Sequence, residues 1–276
     1  MLTLTTDFGD SGYVGAVRGS ILAIDPEARI VDLTHGVPPH DVRSGAFALF
    51  SAVPYYPEGA THIVVVDPGV GTDRRGIALE AGGHTFVGPD NGVLRPVARK
   101  LGGIDRVVEL TEDKYVNEDI SRTFHGRDVF APVGAHLNVG VDLADLGREL
   151  REDELVDLSF GEPWIEDGTW TTEAVHVDRF GNVTTNIQGG TVLDEAAWGA
   201  TAVVETKDLR LEAALHRTYR HAEPDEPTLV IGSAGFAELA MREESFADRH
   251  GIEVGDDIRI QFLPREDPTE PRADES

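Results

Sequence analysis

Asp67 ends an apolar run in the segment VVVDPGVGTDRRG, residues 64–76, and Arg74 and Arg75 follow one short loop later. A carboxylate carried by a strand into a loop shaped by Pro68, Gly69 and Gly71 can orient a nucleophile or take its proton. A guanidinium beside it can hold the charge that develops. The glycines allow positive φ and close approach of backbone to a ligand. The loop is not a phosphate-binding P-loop, because the Gly-Lys-Ser/Thr ending is missing. On spacing alone the arginines could equally bridge surface carboxylates.

His125 lies in TFHGRDVF, residues 123–130, between Phe124 and Gly126 and ahead of Arg127 and Asp128. Imidazole is suited to proton traffic near neutral pH, and a purely structural histidine is the competing reading. Asp128 reads as a helix cap or a partner for Arg127. GPDNG, residues 88–92, signals a turn. DRFGNVTTN, residues 178–186, combines Asp178, Phe180 and Asn182: a carboxylate, a ring to stack on and an amide to read a base edge. That set suits a purine ribonucleoside, with a hairpin turn around Gly181 as the alternative. GSAGFAELA, residues 232–240, pairs a glycine loop with a helical start.

These groups need a scaffold, and the hydrophobic pattern supplies one. Strand-like runs at 2–6, 30–33, 62–66, 77–80, 85–87 and 107–110 alternate with helical periods at 14–24, 42–52, 93–100 and 129–139. The expected fold is α/β: a layered N-terminal domain with a central, mostly parallel sheet, followed by a smaller all-β domain, barrel-like or sandwich-like. Asp7, Asp67 and Asp90 each follow a strand, where ligands bind in open α/β sheets, although capping and turn formation compete for such residues. The expected domains are 1–160, a linker at 161–169, a β-domain at 170–264 with strands near 171–177, 182–187, 202–205, 228–231 and 257–262, and a disordered acidic tail at 265–276.

Composition narrows the partners. Fifty Asp+Glu against 24 Lys+Arg give a formal charge of -26, which repels nucleic acid and anionic membrane surfaces. Only Lys100, Lys114 and Lys207 are lysine. Self-repulsion of this size fades when molar salt shortens the screening length to about 3 Å, so a salt-accumulating cytoplasm is the expected setting. An ordinary acidic protein is the competing reading. Zero cysteines exclude disulfides and thiolate chemistry. No run approaches the roughly 18 apolar residues of a membrane span, and a soluble, cytoplasmic protein is expected.

Taken in order, TTDFG, VVDPGVGTDRR, GPDNG, TFHGRD, FGNVTTN and the loop at Ser233 resemble the SAM hydroxide adenosyltransferase family, relatives of fluorinase and chlorinase; the likeness runs from about residue 2 to 263. It implies attack of water on C5′ of S-adenosyl-L-methionine, giving adenosine and L-methionine, with Asp67, Arg74 and His125 as the catalytic set. The halogenases carry tyrosine at the positions of Asp67 and His125 and serine at that of Gly126, which argues for water as the nucleophile. The resemblance also implies Asp7 on the ribose hydroxyls, His40 lining the ribose, Asp178 and Ser233 on the methionine ammonium and carboxylate, and Asn182 and Tyr219 at the adenine, beside the ring that Phe180 offers. It implies S-adenosyl-L-methionine as substrate with no cofactor and no metal, and a homotrimer whose sites lie at subunit interfaces. The loop after Asp7 is one residue shorter than the family pattern, which touches Asp10, and AMREESFA after Glu238 lacks the expected asparagine. Two other readings compete: a metal-dependent phosphoester hydrolase built on Asp7, Asp67, Asp90 and His125, and a non-catalytic adenosine- or S-adenosyl-L-methionine-binding protein.

Overall fold

The computed structural model describes residues 1–207 and 209–263; the tail expected at 265–276 lies outside the described residues. The chain divides into two compact units, Met1–Ser159 and the residues from Phe160 onward.

The first unit runs β1 (Leu2–Thr6), α1 (Gly12–Ile24), β2 (Ile30–Thr34), α2 (Val42–Ala52), β3 (Thr61–Val65), β4 (Gly76–Ala81), β5 (His84–Pro89), α3 (Arg95–Lys100), β6 (Arg106–Leu110), a π-helical turn at Gly126–Phe130, α4 (Ala131–Asn138) and β7 (Gly147–Glu149). Its strands form one sheet in the order β2-β1-β3-β5-β4-β6-β7. The β2-β1-β3-β5 portion is parallel, and β4, β6 and β7 add on antiparallel. All five residues of both β1 and β3 are buried, as expected for central parallel strands covered on both faces. Leu2, Leu4, Ile63 and Val65 pack with Val17 and Ile21 of α1 and with Ala131 and Ala135 of α4. Period-two alternation turns Thr3 and His62 the other way. There Thr3 Oγ1 meets His62 Nδ1 at 2.7 Å, and His62 Nε2 meets His84 Nδ1 at 3.1 Å. Because β1, β3 and β5 are adjacent and parallel, their carboxyl ends deliver Asp7, Asp67 and Asp90 to one edge of the sheet.

The second unit runs β8 (Trp164–Glu166), β9 (Thr169–Val177), β10 (Val183–Gln188), α5 (Gly189–Glu195), β11 (Thr201–Glu205), β12 (Arg210–Leu215), β13 (Pro227–Ile231), β14 (Phe236–Met241), α6 (Phe246–His250) and β15 (Asp257–Phe262). The order β10-β14-β13-β12-β11-β15-β9 closes through a β9–β10 pairing into a seven-stranded barrel, with β8 added outside β9. Of the barrel-like and sandwich-like readings, closure selects the barrel, and closure removes the free sheet edges. Trp170, Val183, Leu215, Leu229, Leu239, Phe246 and Ile260 fill it.

β12, α5 and α6 add to the expected elements of this unit, and two segments take a form other than the one expected. Residues 161–169 were expected as a linker but carry β8 and a tight hairpin turn, with Asp167 at φ 49° and Gly168 at φ 73°. Asp-Gly is the turn pair whose left-handed backbone matches the twist of a hairpin, while a three-residue strand is too short to show alternation. The helical start expected after the glycine loop at 232–235 is instead β14. Its residues FAELAM favour a helix locally, but all six are buried between β10 and β13, and ladder pairing overrides that preference.

Candidate active site

Asp67, Arg74 and His125 meet. The loop after β3 turns back through Val70 N–H to Asp67 O (3.2 Å) and Thr72 Oγ–H to Gly69 O (2.6 Å). Gly71 sits at φ 76°, and a Cβ there would overlap the carbonyl of Arg122, so the loop passes the 121–125 segment at a distance only glycine permits. Arg74 Nε then donates to both oxygens of Asp67, at 2.9 and 3.0 Å, and its Nη2 donates to Asp67 Oδ2 as well. The same Nη2 lies 2.8 Å from His125 Nδ1. The Arg74 and Asp67 side chains are only 12% and 5% exposed, so their charges interact with little solvent screening.

This geometry assigns the histidine's state. Arginine has no acceptor, so Arg74 must donate and His125 Nδ1 must accept; the imidazole is neutral with its proton on Nε2. Burial and the neighbouring Arg74 charge both hold the His125 pKa below its ordinary value, against the opposing pull of Asp67 and Asp128. His125 immediately precedes the π-helical turn, a local irregularity common at functional sites. Asp128, nearly fully buried, does not cap that turn. It takes two bonds of 2.7 Å from Arg127 and accepts from Asn117 Nδ2 (3.0 Å) and Ser121 N–H (2.9 Å). The Arg127 pair is one of the two expected roles, while the bonds to Asn117 and Ser121, which close the 117–128 loop, are announced by no local spacing.

The neighbouring arginine has a different task. Arg75 pairs with buried Asp90 at 2.6 Å and donates to the Glu154 carbonyl, while Asp90 Oδ1 accepts from Val156 N–H at 2.9 Å. The pair ties the 154–156 segment to the sheet edge. Asp67 is taken by Arg74 and Asp90 by Arg75, so two of the three carboxylates of the competing metal set are committed to cations of the chain itself. Asp7, at the end of β1, accepts from His40 N–H at 2.8 Å. His40 is held at φ 67°, a strained conformation for a residue with a Cβ, which concentrates at functional loops. Thr6 Oγ1 to His35 Nδ1 (2.9 Å) and Gly9 N–H to His35 O (2.8 Å) anchor this loop.

In the second unit a cleft of about 740 Å³ is lined by Phe180, Asn182, Tyr219, Arg220, Arg242 and Ser245, among others, a volume within the usual range for small ligands. The hairpin turn weighed for this segment is present: Asp178 Oδ1 accepts from Phe180 N–H (2.8 Å) and Asn182 N–H (2.9 Å), and Oδ2 accepts from Asn182 Nδ2 (2.9 Å). That turn leaves Phe180 70% exposed. Tyr219 O–H donates to Glu238 on β14, whose carboxyl is pushed up by burial and by the nearby Asp178 charge. Ser233 is exposed on the 232–235 turn and does not line the cleft. Glu238, Arg242 and Ser245 escaped the sequence reading, because pairing rather than spacing places them. Among the described residues, no three or more His, Cys, Asp or Glu side chains gather as a metal-binding group.

Residues 2–147 match the family model of the SAM hydroxide adenosyltransferase N-terminal domain, and residues 172–259 that of its C-terminal domain. The chain is 43% identical over 263 residues to the (R)-S-adenosyl-L-methionine hydrolase of Salinispora arenicola, covering 94% of this chain and 97% of that one. It is also 43% identical to the (R)-S-adenosyl-L-methionine hydrolase of Methanocaldococcus jannaschii, covering 95% and 96%. A crystal structure of an uncharacterized conserved protein from Thermotoga maritima superposes with a TM-score of 0.89 at 34% identity, covering 95% of this chain and all of that one.

Proposed function

This chain belongs to the SAM hydroxide adenosyltransferase family, and from that premise we propose that it hydrolyses S-adenosyl-L-methionine at ribose C5′ to adenosine and L-methionine, with Asp67, Arg74 and His125 around the attacking water. The observation that carries the reading is the Asp67–Arg74–His125 chain of hydrogen bonds. The sulfonium leaves as a neutral thioether, so no acid is needed to protonate it. The site must supply a nucleophile.

Asp67 accepts the water proton as the C–O bond forms, since its oxygens keep lone pairs beyond those used by Arg74. His125 does not fit that task, because Arg74 occupies its Nδ1 and its Nε2 carries a proton. It donates that Nε2–H to the attacking oxygen and holds it in line with the C–S bond. Arg74 fixes both partners and balances the charge of Asp67. Asp7 binds the ribose hydroxyls beside His40, Phe180 stacks on adenine with Asn182 and Tyr219 at its edge, and Asp178 and Ser233 take the methionine end. No cofactor or metal enters this scheme.

Incubation in ¹⁸O-labelled water tests it: label in the adenosine 5′-hydroxyl is expected, and unlabelled adenosine or abolition by exhaustive chelation overturns it. The proposal extends to a homotrimer with the substrate at subunit interfaces, to which the exposed Phe180 ring lends support; a monomer by light scattering removes that part. A cytoplasmic, salt-rich setting also belongs to it, supported by the charge of -26. Its check is a melting temperature that rises with KCl. No described helix is long and apolar enough to cross a membrane.

A further inference from the structure

The loop carrying Asp7 and the loop carrying His125 touch through aromatic rings. Phe8 follows Asp7, Phe124 precedes His125, and Tyr13 stands in the first turn of α1. Their centroids lie 5.7 Å apart for Phe8–Tyr13, 5.8 Å for Phe8–Phe124 and 5.2 Å for Tyr13–Phe124, with interplanar angles of 58°, 75° and 76°. Each ring therefore meets both others, at separations and tilts that favour edge-to-face attraction.

From this triangle we infer that Phe8, Tyr13 and Phe124 form a clamp of positioning residues that sets His125 in register with Asp67 and Asp7; the inference rests on the proposed role of His125. Tyr13 is 57% exposed, so it contributes little to the core, yet its ring closes the triangle. The Arg127 guanidinium also lies over the Phe124 ring, 5.0 Å from its centroid, held there by its two bonds to Asp128. Ser20 Oγ, two turns along α1 from Tyr13, donates to the Arg127 carbonyl at 2.8 Å, so α1 grips the π-helical turn at a second point. The fit between is close. A Cβ on Gly126 would stand 2.8 Å from Val65 Cγ1 and 3.5 Å from Phe8 Cζ. His125 thus has a clamped residue before it and a glycine pressed against β3 and Phe8 after it, and its backbone has little freedom to carry the imidazole away from Arg74.

The test compares Tyr13→Ala, Tyr13→Phe and the wild-type protein by kcat and KM for S-adenosyl-L-methionine, by melting temperature, and by NMR titration of the His125 imidazole. Tyr13→Ala should lower kcat about 10- to 100-fold, the scale of a misplaced reacting group, with KM and melting temperature little changed. The His125 titration should rise toward the ordinary histidine value as water reaches the ring, and Tyr13→Phe, which keeps the ring, should restore both readouts. Wild-type kcat in Tyr13→Ala, or failure of Tyr13→Phe to restore it, overturns the clamp. Should Tyr13→Ala melt early, Tyr13→Leu keeps the bulk without the aromatic edge, and full activity there overturns it equally. If instead His125→Ala keeps the wild-type rate, the catalytic role of His125 falls, while the imidazole titration still reports on the clamp.

Discussion

The edge of the N-terminal sheet and the cleft of the barrel present their polar groups in opposite ways. At the sheet edge, Asp67 and Arg74 are largely buried and bonded to each other, and Arg74 also bonds half-buried His125. In the cleft, Phe180 stands in solvent while Asp178 and Asn182 spend their bonds on a turn that holds it there. Groups that must act on a forming bond lose rate for each degree of freedom left open, so they are fixed in advance by their own network. A stacking ring needs only a rigid base and an uncovered face, because its attraction to a nucleobase is broad in geometry. Under the proposed function, the first region does the chemistry and the second holds the substrate.

Substitutions that separate kcat from KM would break that contrast or sharpen it. The largest effect is expected for Asp67→Asn, which keeps the shape but removes the proposed proton acceptor: kcat should fall about 10²- to 10⁴-fold with KM little altered. A loss expressed mainly in KM would move Asp67 from chemistry to binding. Phe180→Ala should do the reverse, raising KM roughly 5- to 160-fold, as loss of about 1–3 kcal/mol of stacking implies, with kcat preserved. A collapse of kcat instead would mean that the barrel shapes the reacting geometry.

The smallest effect is the pH response. His125 works as a neutral acceptor for Arg74 and its pKa lies below 6.5, so kcat/KM should hold as pH falls through 6.5 and decline only at lower pH, where Nδ1 takes a proton. A midpoint above 6.5 would contradict the assigned state. Stability should fall in the same direction for a separate reason. Burial and the neighbouring His84 hold His62 near 3, so the folded form favours the neutral ring. The stability this contributes is full above the unfolded value of 6.5 and is lost as pH drops from there toward 3. The profile should therefore be read as initial rates above the onset of unfolding.

The fold was legible where one physical signal dominated. The limits of β1, α2 and β15 follow directly from hydrophobic runs bounded by turn residues. β14 was not legible, because a strand buried on both faces has no alternation, and its composition points to a helix. The site divides in the same way. Asp67, Arg74 and His125 could be named from motifs in order, but the roles of adjacent Arg74 and Arg75 could not be told apart by spacing, since each has a carboxylate within reach in three dimensions.

By itself the sequence determined the residue types available for chemistry, the absence of thiols, the acidic charge and the α/β-then-β order of elements, all properties of composition and local period. Tertiary structure alone decided that β1, β3 and β5 bring three acidic strand ends to one edge, that Arg74 turns toward His125 while Arg75 turns toward Asp90, and that three rings close over the turn beside His125. Those are contacts between distant segments. Their energies depend on which partners the packed chain brings within bonding distance, and no local pattern encodes that distance.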